Sequence, residues 1–164
     1  SSYGSDYPFI KPADITDKSV AYGNQGMSAS GVKKYGRLAP PGASLMVCIG
    51  TIGKTNIISQ PCSFNQQINA IAPYPQIFSP YLQQFLRSSH FQNECWRLSS
   101  STTIAILNKG KWESISVALP PLPEQHRIVA RVDELMARCD ELERLIDDSV
   151  QKKSSVLSAL MATA

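Results

Sequence analysis

Leu119-Pro120-Pro121-Leu122-Pro123-Glu124-Gln125-His126-Arg127-Ile128-Val129 divides the chain into two regions of different character. From Pro123 to about Ala162 no further Gly or Pro occurs, and Ala, Leu, Glu, Arg and Lys dominate, which predicts one long helix. Pro123 suits the first helical turn, where an N–H has no intrahelical partner, and Glu124 places negative charge at the positive end of the dipole. Ile128, Val132, Leu135, Cys139, Leu142 and Ile146 recur at alternating spacings of four and three, the pattern of a coiled-coil seam. Glu134 with Arg138, Asp140 with Arg144 and Asp148 with Lys152 are expected to pair on the opposite surface, acid first at i,i+4. Ser149 and Lys153 interrupt the seam before Val156, Leu157, Leu160 and Met161 restore it, so Asp147 to Ser155 is where the helix is expected to loosen, bend or change partner. At ~1.5 Å per residue such a helix spans roughly 60 Å, more than a stripe folded on its own domain requires, and it is expected to protrude.

Ahead of that helix the chain breaks into short segments divided by turn residues. Ser44 to Ile49 and Thr55 to Ser59 are strand-like and joined by Gly50-Thr51-Ile52-Gly53-Lys54, as in a hairpin. Gln67 to Ala72 and Ser114 to Leu119 alternate as further strands, and a helix is expected after Pro80 with Ser79 as its N-cap. The expected architecture is a compact, loop-rich α+β domain with mixed and antiparallel strands over residues 1–122, followed by the helix over 123–164.

With 43% apolar and 18% charged residues, the composition excludes a disordered chain. No apolar run reaches the ~18 residues of a membrane span and residues 1–20 hold no signal sequence, so no membrane role is expected and a cytoplasmic location is. Charge is unevenly placed. Residues 1–122 carry ten Lys and Arg against five acids, whereas 123–164 carry six against eight. Residues 18–93 hold six basic side chains and no Asp or Glu, as a polyanion-binding surface requires.

No catalytic motif in the sequence reaches a constellation. Gly50 to Thr55 ends like a phosphate-binding loop, but that pattern needs glycine at position 48, which is Cys48. Cys48, Cys62, Cys95 and Cys139 lack zinc spacing and are expected to be free, buried thiols; neither a metal nor a cofactor is expected. Asp14 and Asp17 stand in a polar loop as turn formers. Ser99 to Thr103 and Asn108-Lys109-Gly110-Lys111 are groups suited to phosphates and base edges, or to an ordinary solvated loop.

Taken together, several segments resemble the specificity subunit of type I restriction-modification systems over almost the whole chain. Leu119 to Val129 is similar to the proline-rich start of that family's long spacer helix, where Glu-Gln followed by Ile-Val is typical. Gly50 to Lys54, Asn65-Gln66-Gln67 and Ser101-Thr102-Thr103 through Asn108-Lys109 resemble elements of its target recognition domain, as does Tyr7-Pro8-Phe9-Ile10-Lys11 with Ala13-Asp14-Ile15. The resemblance implies a non-catalytic subunit that recognises one half of a bipartite site in double-stranded DNA. It further implies docking to methyltransferase subunits and, through the complex, to restriction subunits. One domain and one helix, with no initiator Met and no strand expected before Tyr7, imply a natural half-subunit or an excised part of one. The expected DNA contacts are Lys33, Lys34, Lys54, Lys109 and Lys111 on phosphates, with Asn65, Gln66, Ser101 and Thr102 nearer bases. The expected helix interface is Ile128, Val132, Leu135, Leu142 and Ile146, through which two copies would form a homodimer. Two other classes stay open at this point, a helix-mediated assembly module without a DNA role and a small cysteine-dependent hydrolase using His90 or His126 as base.

Overall fold

A computed structural model describes residues 2–35, 37–100 and 103–162. The chain forms two compact units, Ser1–Gln125 and His126–Ala164. The first unit is organised about strand β3 (Ser44–Val47), every residue of which is buried. β3 pairs antiparallel with β4 (Thr55–Ile57) on one side and β6 (Ile68–Ile71) on the other. A strand's side chains point alternately to its two faces, so Leu45 and Val47 enter one core with Ile10, Ile15, Ile58 and Ile68, while Met46 enters a second with Leu82, Leu86, Phe91 and Leu107.

The β3–β4 connection is the hairpin expected from the sequence. Gly50 and Gly53 have φ of 81° and 95°, and Val47 exchanges backbone bonds with Gly53 and Lys54 at 3.0 and 2.8 Å. The positive φ favours glycine at Gly53, and a Cβ there would also push aside the end of the Gln92 side chain. The second sheet consists of β1 (Tyr3–Ile10), paired antiparallel with β2 (Gly26–Met27) and parallel with β5 (Ser63–Phe64). A strand therefore does precede Tyr7, contrary to expectation. Its first half is exposed and carries no clean alternation, leaving the sequence without a strand signal.

Helices α1 (Ala29–Tyr35), α2 (Ser79–Arg87), α3 (Ser89–Leu98) and α4 (Lys109–Glu113) complete the unit. Ser79 is the first residue of α2 rather than its N-cap, which is Phe78; the Ser79 hydroxyl donates instead to the Gly42 carbonyl at 3.0 Å. Ser114 to Leu119 is not a strand. The alternation is real, but the segment pairs with no strand: Ile115 packs on the second core and the Ala118 carbonyl accepts from Tyr81 Oη at 2.6 Å.

α5 (Leu122–Ala162) runs without interruption through Asp147 to Ser155. Its first turn belongs to the first unit because Gln125 is fully buried there. Gln125 Nε2 donates to the carbonyls of Gln76 and Pro120 at 2.9 and 2.8 Å, and Oε1 accepts from Phe78 N–H at 2.8 Å. The division into units thus falls three residues beyond the boundary expected at Leu122. Further along, Glu134 pairs with Arg138 as expected, but Arg144 pairs with Glu141 and Asp148 rather than Asp140. The Arg144 fork reaches Glu141 through two nitrogens at once and Asp148 through the third, so Asp148 is engaged with Arg144.

Replacing Gln125 by Leu removes both donors and the acceptor while leaving Phe78 N–H and two carbonyls buried. Urea unfolding of the full chain is expected to register a loss of about 3 kcal/mol or more, since each buried unsatisfied polar group costs roughly 1–3 kcal/mol. A loss below about 1 kcal/mol would mean water replaces the amide.

Candidate nucleic-acid interface

Two adjoining hollows open on the first unit. The larger, about 500 Å³, is lined by Tyr3, Phe9, Tyr35, Arg37, Asn65 and Gln66 among others, and the smaller, about 220 Å³, by Ile68, Asn69, Lys109 and Trp112. Arg37 and Phe64 line both. β6 reaches this place through β3, α1 delivers Tyr35, and the turn between β5 and β6 delivers Asn65 and Gln66. Neither lining contains a carboxylate, and most of the lining residues come from the acid-free stretch 18–93.

The expected contact residues fall into groups. Asn65 and Gln66 share the larger hollow, and Lys109 lines the smaller, its ammonium 3.5 Å from Glu113, which is not part of the lining. Lys33 and Lys34 are exposed in the last turn of α1, with Lys34 Nζ 5.5 Å from the centre of the Tyr35 ring. Lys111 is exposed but turned to the Leu98 carbonyl, to which it donates at 2.9 Å. Lys54 is elsewhere, in a third hollow of about 370 Å³ with Asp17, Arg87 and Gln92. Ser101 and Thr102 lie outside the described residues. Sequence reasoning missed Arg37, Asn69, Tyr35 and Trp112 as lining residues. The run Lys33-Lys34-Tyr35-Gly36-Arg37, basic groups interleaved with an aromatic ring, was the available signal for two of them.

The Asn65 side chain is occupied by its own turn. Its Oδ1 accepts from Gln67 N–H at 3.0 Å and its Nδ2 donates to Gln67 Oε1 at 2.9 Å. Asn69 Nδ2 is directed to Cys48 Sγ at 3.3 Å. Gln66, at the exposed tip, and Arg37 have no such internal bond among the described residues.

A thiol-based mechanism finds no support. Burial pushes the Cys48 thiol up to about 11, against which the amide of Asn69 pulls weakly, and pushes Cys62 and Cys95 up to about 12. These groups stay protonated at neutral pH and are poor nucleophiles. The expectation of four buried thiols needs one correction, because Cys139 is exposed on α5. Asp14 is a turn former: its carboxylate accepts from Lys11 N–H at 2.8 Å and Asn24 Nδ2 at 2.5 Å. Among the described residues no group of three or more His, Cys, Asp or Glu is placed to hold a metal, and no helix is long and apolar enough to cross a membrane.

The architecture is a loop-rich α+β unit followed by a long helix. The chain matches the family described as type I restriction modification DNA specificity domain over residues 3–152, and it belongs to that family. It is 29% identical over 125 residues to the type I restriction enzyme EcoBI specificity subunit of Escherichia coli, covering 73% of this chain and 26% of that one. To the StySPI specificity subunit of Salmonella potsdam it is 25% identical over 138 residues, covering 81% and 30%. Among solved structures, a type I restriction-modification system studied for complex assembly and conformational transition aligns with a TM-score of 0.69 at 26% identity, over 87% of this chain and 35% of the other. The HsdS subunit of Thermoanaerobacter tengcongensis has the same fold, with a TM-score of 0.68 at 24% identity over 88% and 34%. The chain spans about a quarter to a third of the length of the curated relatives it matches.

Two measurements check the thiol assignments. At pH 8 a maleimide is expected to modify Cys139 rapidly and Cys48, Cys62 and Cys95 only after unfolding. Raised thiol pKa values contribute stability that is complete below the ordinary 9.0 and lost as pH rises toward about 11 and about 12, because the unfolded chain releases those protons first. The urea midpoint should therefore fall between pH 8 and pH 10.5, and triple substitution of the buried cysteines by Ala should flatten that fall.

Proposed function

We propose that this chain is a non-catalytic, DNA-reading part of a type I restriction-modification complex, whose first unit binds one half of a bipartite duplex site. The observation that carries this reading is the pair of hollows that combine cations, amides and aromatic rings with no carboxylate in their lining. Phosphate contacts supply much of the affinity for duplex DNA and amides and guanidinium groups read base edges, so the chemistry present is the chemistry required. Lys33, Lys34, Lys109 and Lys111 are the phosphate contacts of this reading, with Lys54 from its separate hollow, and Ser101 and Thr102 are assigned to bases from the sequence alone. Methyl transfer and cleavage belong to methyltransferase and restriction subunits that the assembled complex carries. The assembly module without a DNA role is the lesser reading, because it leaves the acid-free hollows without a purpose.

The helix supplies the assembly surface. Leu135, Leu142 and Ile146 are 44%, 59% and 61% exposed, and Met136, Leu145 and Val150 beside them are exposed as well. The occupant we assign is a second copy of α5 in antiparallel orientation. In one register Ile128 faces the equivalent of Ile146, Val132 that of Leu142, and Leu135 that of Cys139, so every seam residue meets an apolar partner. Each pair restores two recognition units related by a two-fold axis.

Duplex binding by fluorescence anisotropy should weaken steeply with salt while keeping a sequence preference, and Lys109→Ala with Lys111→Ala should reduce the logarithmic salt slope by about one to two units. Binding indifferent to salt, or absent at low salt, would remove the DNA reading. Sedimentation at tens of micromolar should find a dimer, and Leu135→Asp with Leu142→Asp should dissociate it, because buried unpaired carboxylates cost several kcal/mol each, roughly. A monomeric parent would transfer the seam to a methyltransferase partner.

A further inference from the structure

We infer that Arg37 is a base-reading residue of the first unit, directed at a guanine, and that Gln66 reads an adenine at a neighbouring base pair; this rests on the duplex-binding reading above. Arg37 stands where the two hollows meet and lines both. It has no ion pair among the described residues, and no carboxylate lines either hollow to engage its fork. The other cations around this surface are differently placed. Lys33 and Lys34 lie on the exposed last turn of a helix, and Lys109 has Glu113 beside it.

The surroundings of Arg37 can serve a base edge. A phosphate offers only acceptors, whereas a base edge presents acceptors and donors side by side and calls for partners that do both. Here the guanidinium shares the larger hollow with the Gln66 amide, which donates and accepts, and with the hydroxyls of Tyr3, Tyr35 and Ser63. Guanine presents two adjacent acceptors, O6 and N7, that match the guanidinium fork, and adenine presents an acceptor beside a donor, which match an amide. The flat walls given by Tyr35, Phe64 and Trp112 suit planar groups on both sides of the contact.

Asn65 is assigned a different part. Both ends of its amide are bonded to Gln67, so it holds the turn that presents Gln66 and is a positioning residue. Its replacement by Ala should therefore weaken discrimination at the base pair read by Gln66 and no other. Asn65→Asp, which keeps the acceptor for Gln67 N–H, should restore part of it.

The test is selection of bound duplexes from a random pool by the full chain, followed by affinity and salt-slope measurements on selected and scrambled duplexes. The comparison uses the parent, Arg37→Lys, Arg37→Ala, Gln66→Ala and Lys33→Ala. The expected result is that Arg37→Lys keeps its scrambled-duplex affinity within about two-fold and an unchanged salt slope, yet loses about ten-fold or more in discrimination at one G·C pair. Gln66→Ala should lose discrimination at an adjoining A·T pair, and Lys33→Ala should weaken every duplex alike. If both Arg37 variants retain the parent's preference, or if Arg37→Ala weakens selected and scrambled duplexes by one common factor with a shallower slope, Arg37 contacts a phosphate and the inference fails while the duplex reading stands. A parent that binds duplex with no preference overturns the base-reading assignment and the half-site reading, leaving only duplex binding. A parent that binds no duplex overturns both. Thermal unfolding midpoints equal to the parent's confirm that the exposed substitutions leave the fold intact.

Discussion

Everything in the first unit is arranged about a strand that is buried on both faces. Because successive residues of β3 point in opposite directions, Leu45 and Val47 require one apolar layer and Met46 another, and a strand of four residues thereby demands two cores. Its ladder pairs it on both edges, with β4 and β6. A one-residue slip of this strand would exchange the two layers, so its register is strongly specified. β6 inherits that register, and with it the position of Asn69 and Ala70 in the smaller hollow. The floor of that hollow is thus set by the ladder of β3.

The start of α5 is held by a different kind of bond. Gln125 is buried, uncharged and able to donate twice and accept once, and its three partners are backbone groups of segments that lack regular structure. Glutamate would place an oxygen against two carbonyls, and an apolar residue would leave all three groups unpaired. The prolines around it remove competing backbone donors, since Pro120, Pro121 and Pro123 carry no N–H. The ion pairs farther along α5 contribute far less, because Arg131, Arg138 and Arg144 are mostly exposed and exchange water for carboxylate at little net gain.

The elements legible in the sequence were those whose signal is local. The uninterrupted composition after Pro123 announced α5, and the glycine spacing announced the β3–β4 hairpin. Elements that depend on tertiary partners were not legible. β1 acquires its strand character from β2 and β5, each only two residues long, and Ser114 to Leu119 lost the strand its alternation suggested because nothing pairs with it. α1 and α4 are short and contain glycine, so propensity gives no reason to expect them. Of the candidate site, the absence of acids was visible in the linear sequence, but the meeting of Arg37 with Gln66 requires α1 and the β5–β6 turn to converge, which is a property of the fold.

Hydrogen-bond accounting separates structure from surface within that site. An amide whose donors and acceptor are already engaged adds rigidity and has little left to offer a ligand, whereas one without internal partners is solvated and can exchange water for another group. Asn65 and Gln66 are adjacent in sequence and alike in chemistry, yet they fall on opposite sides of this division because a turn needs an acceptor two residues before its N–H. Asn69, whose amide leans on the Cys48 thiol, is intermediate. The same accounting applies to the cations: Lys111 is turned to a carbonyl and Lys109 stands by a carboxylate, while Arg37 has neither. A basic stretch of sequence thus resolves into side chains that hold the surface in shape and side chains that the shape leaves free, and only the second kind can distinguish one ligand from another.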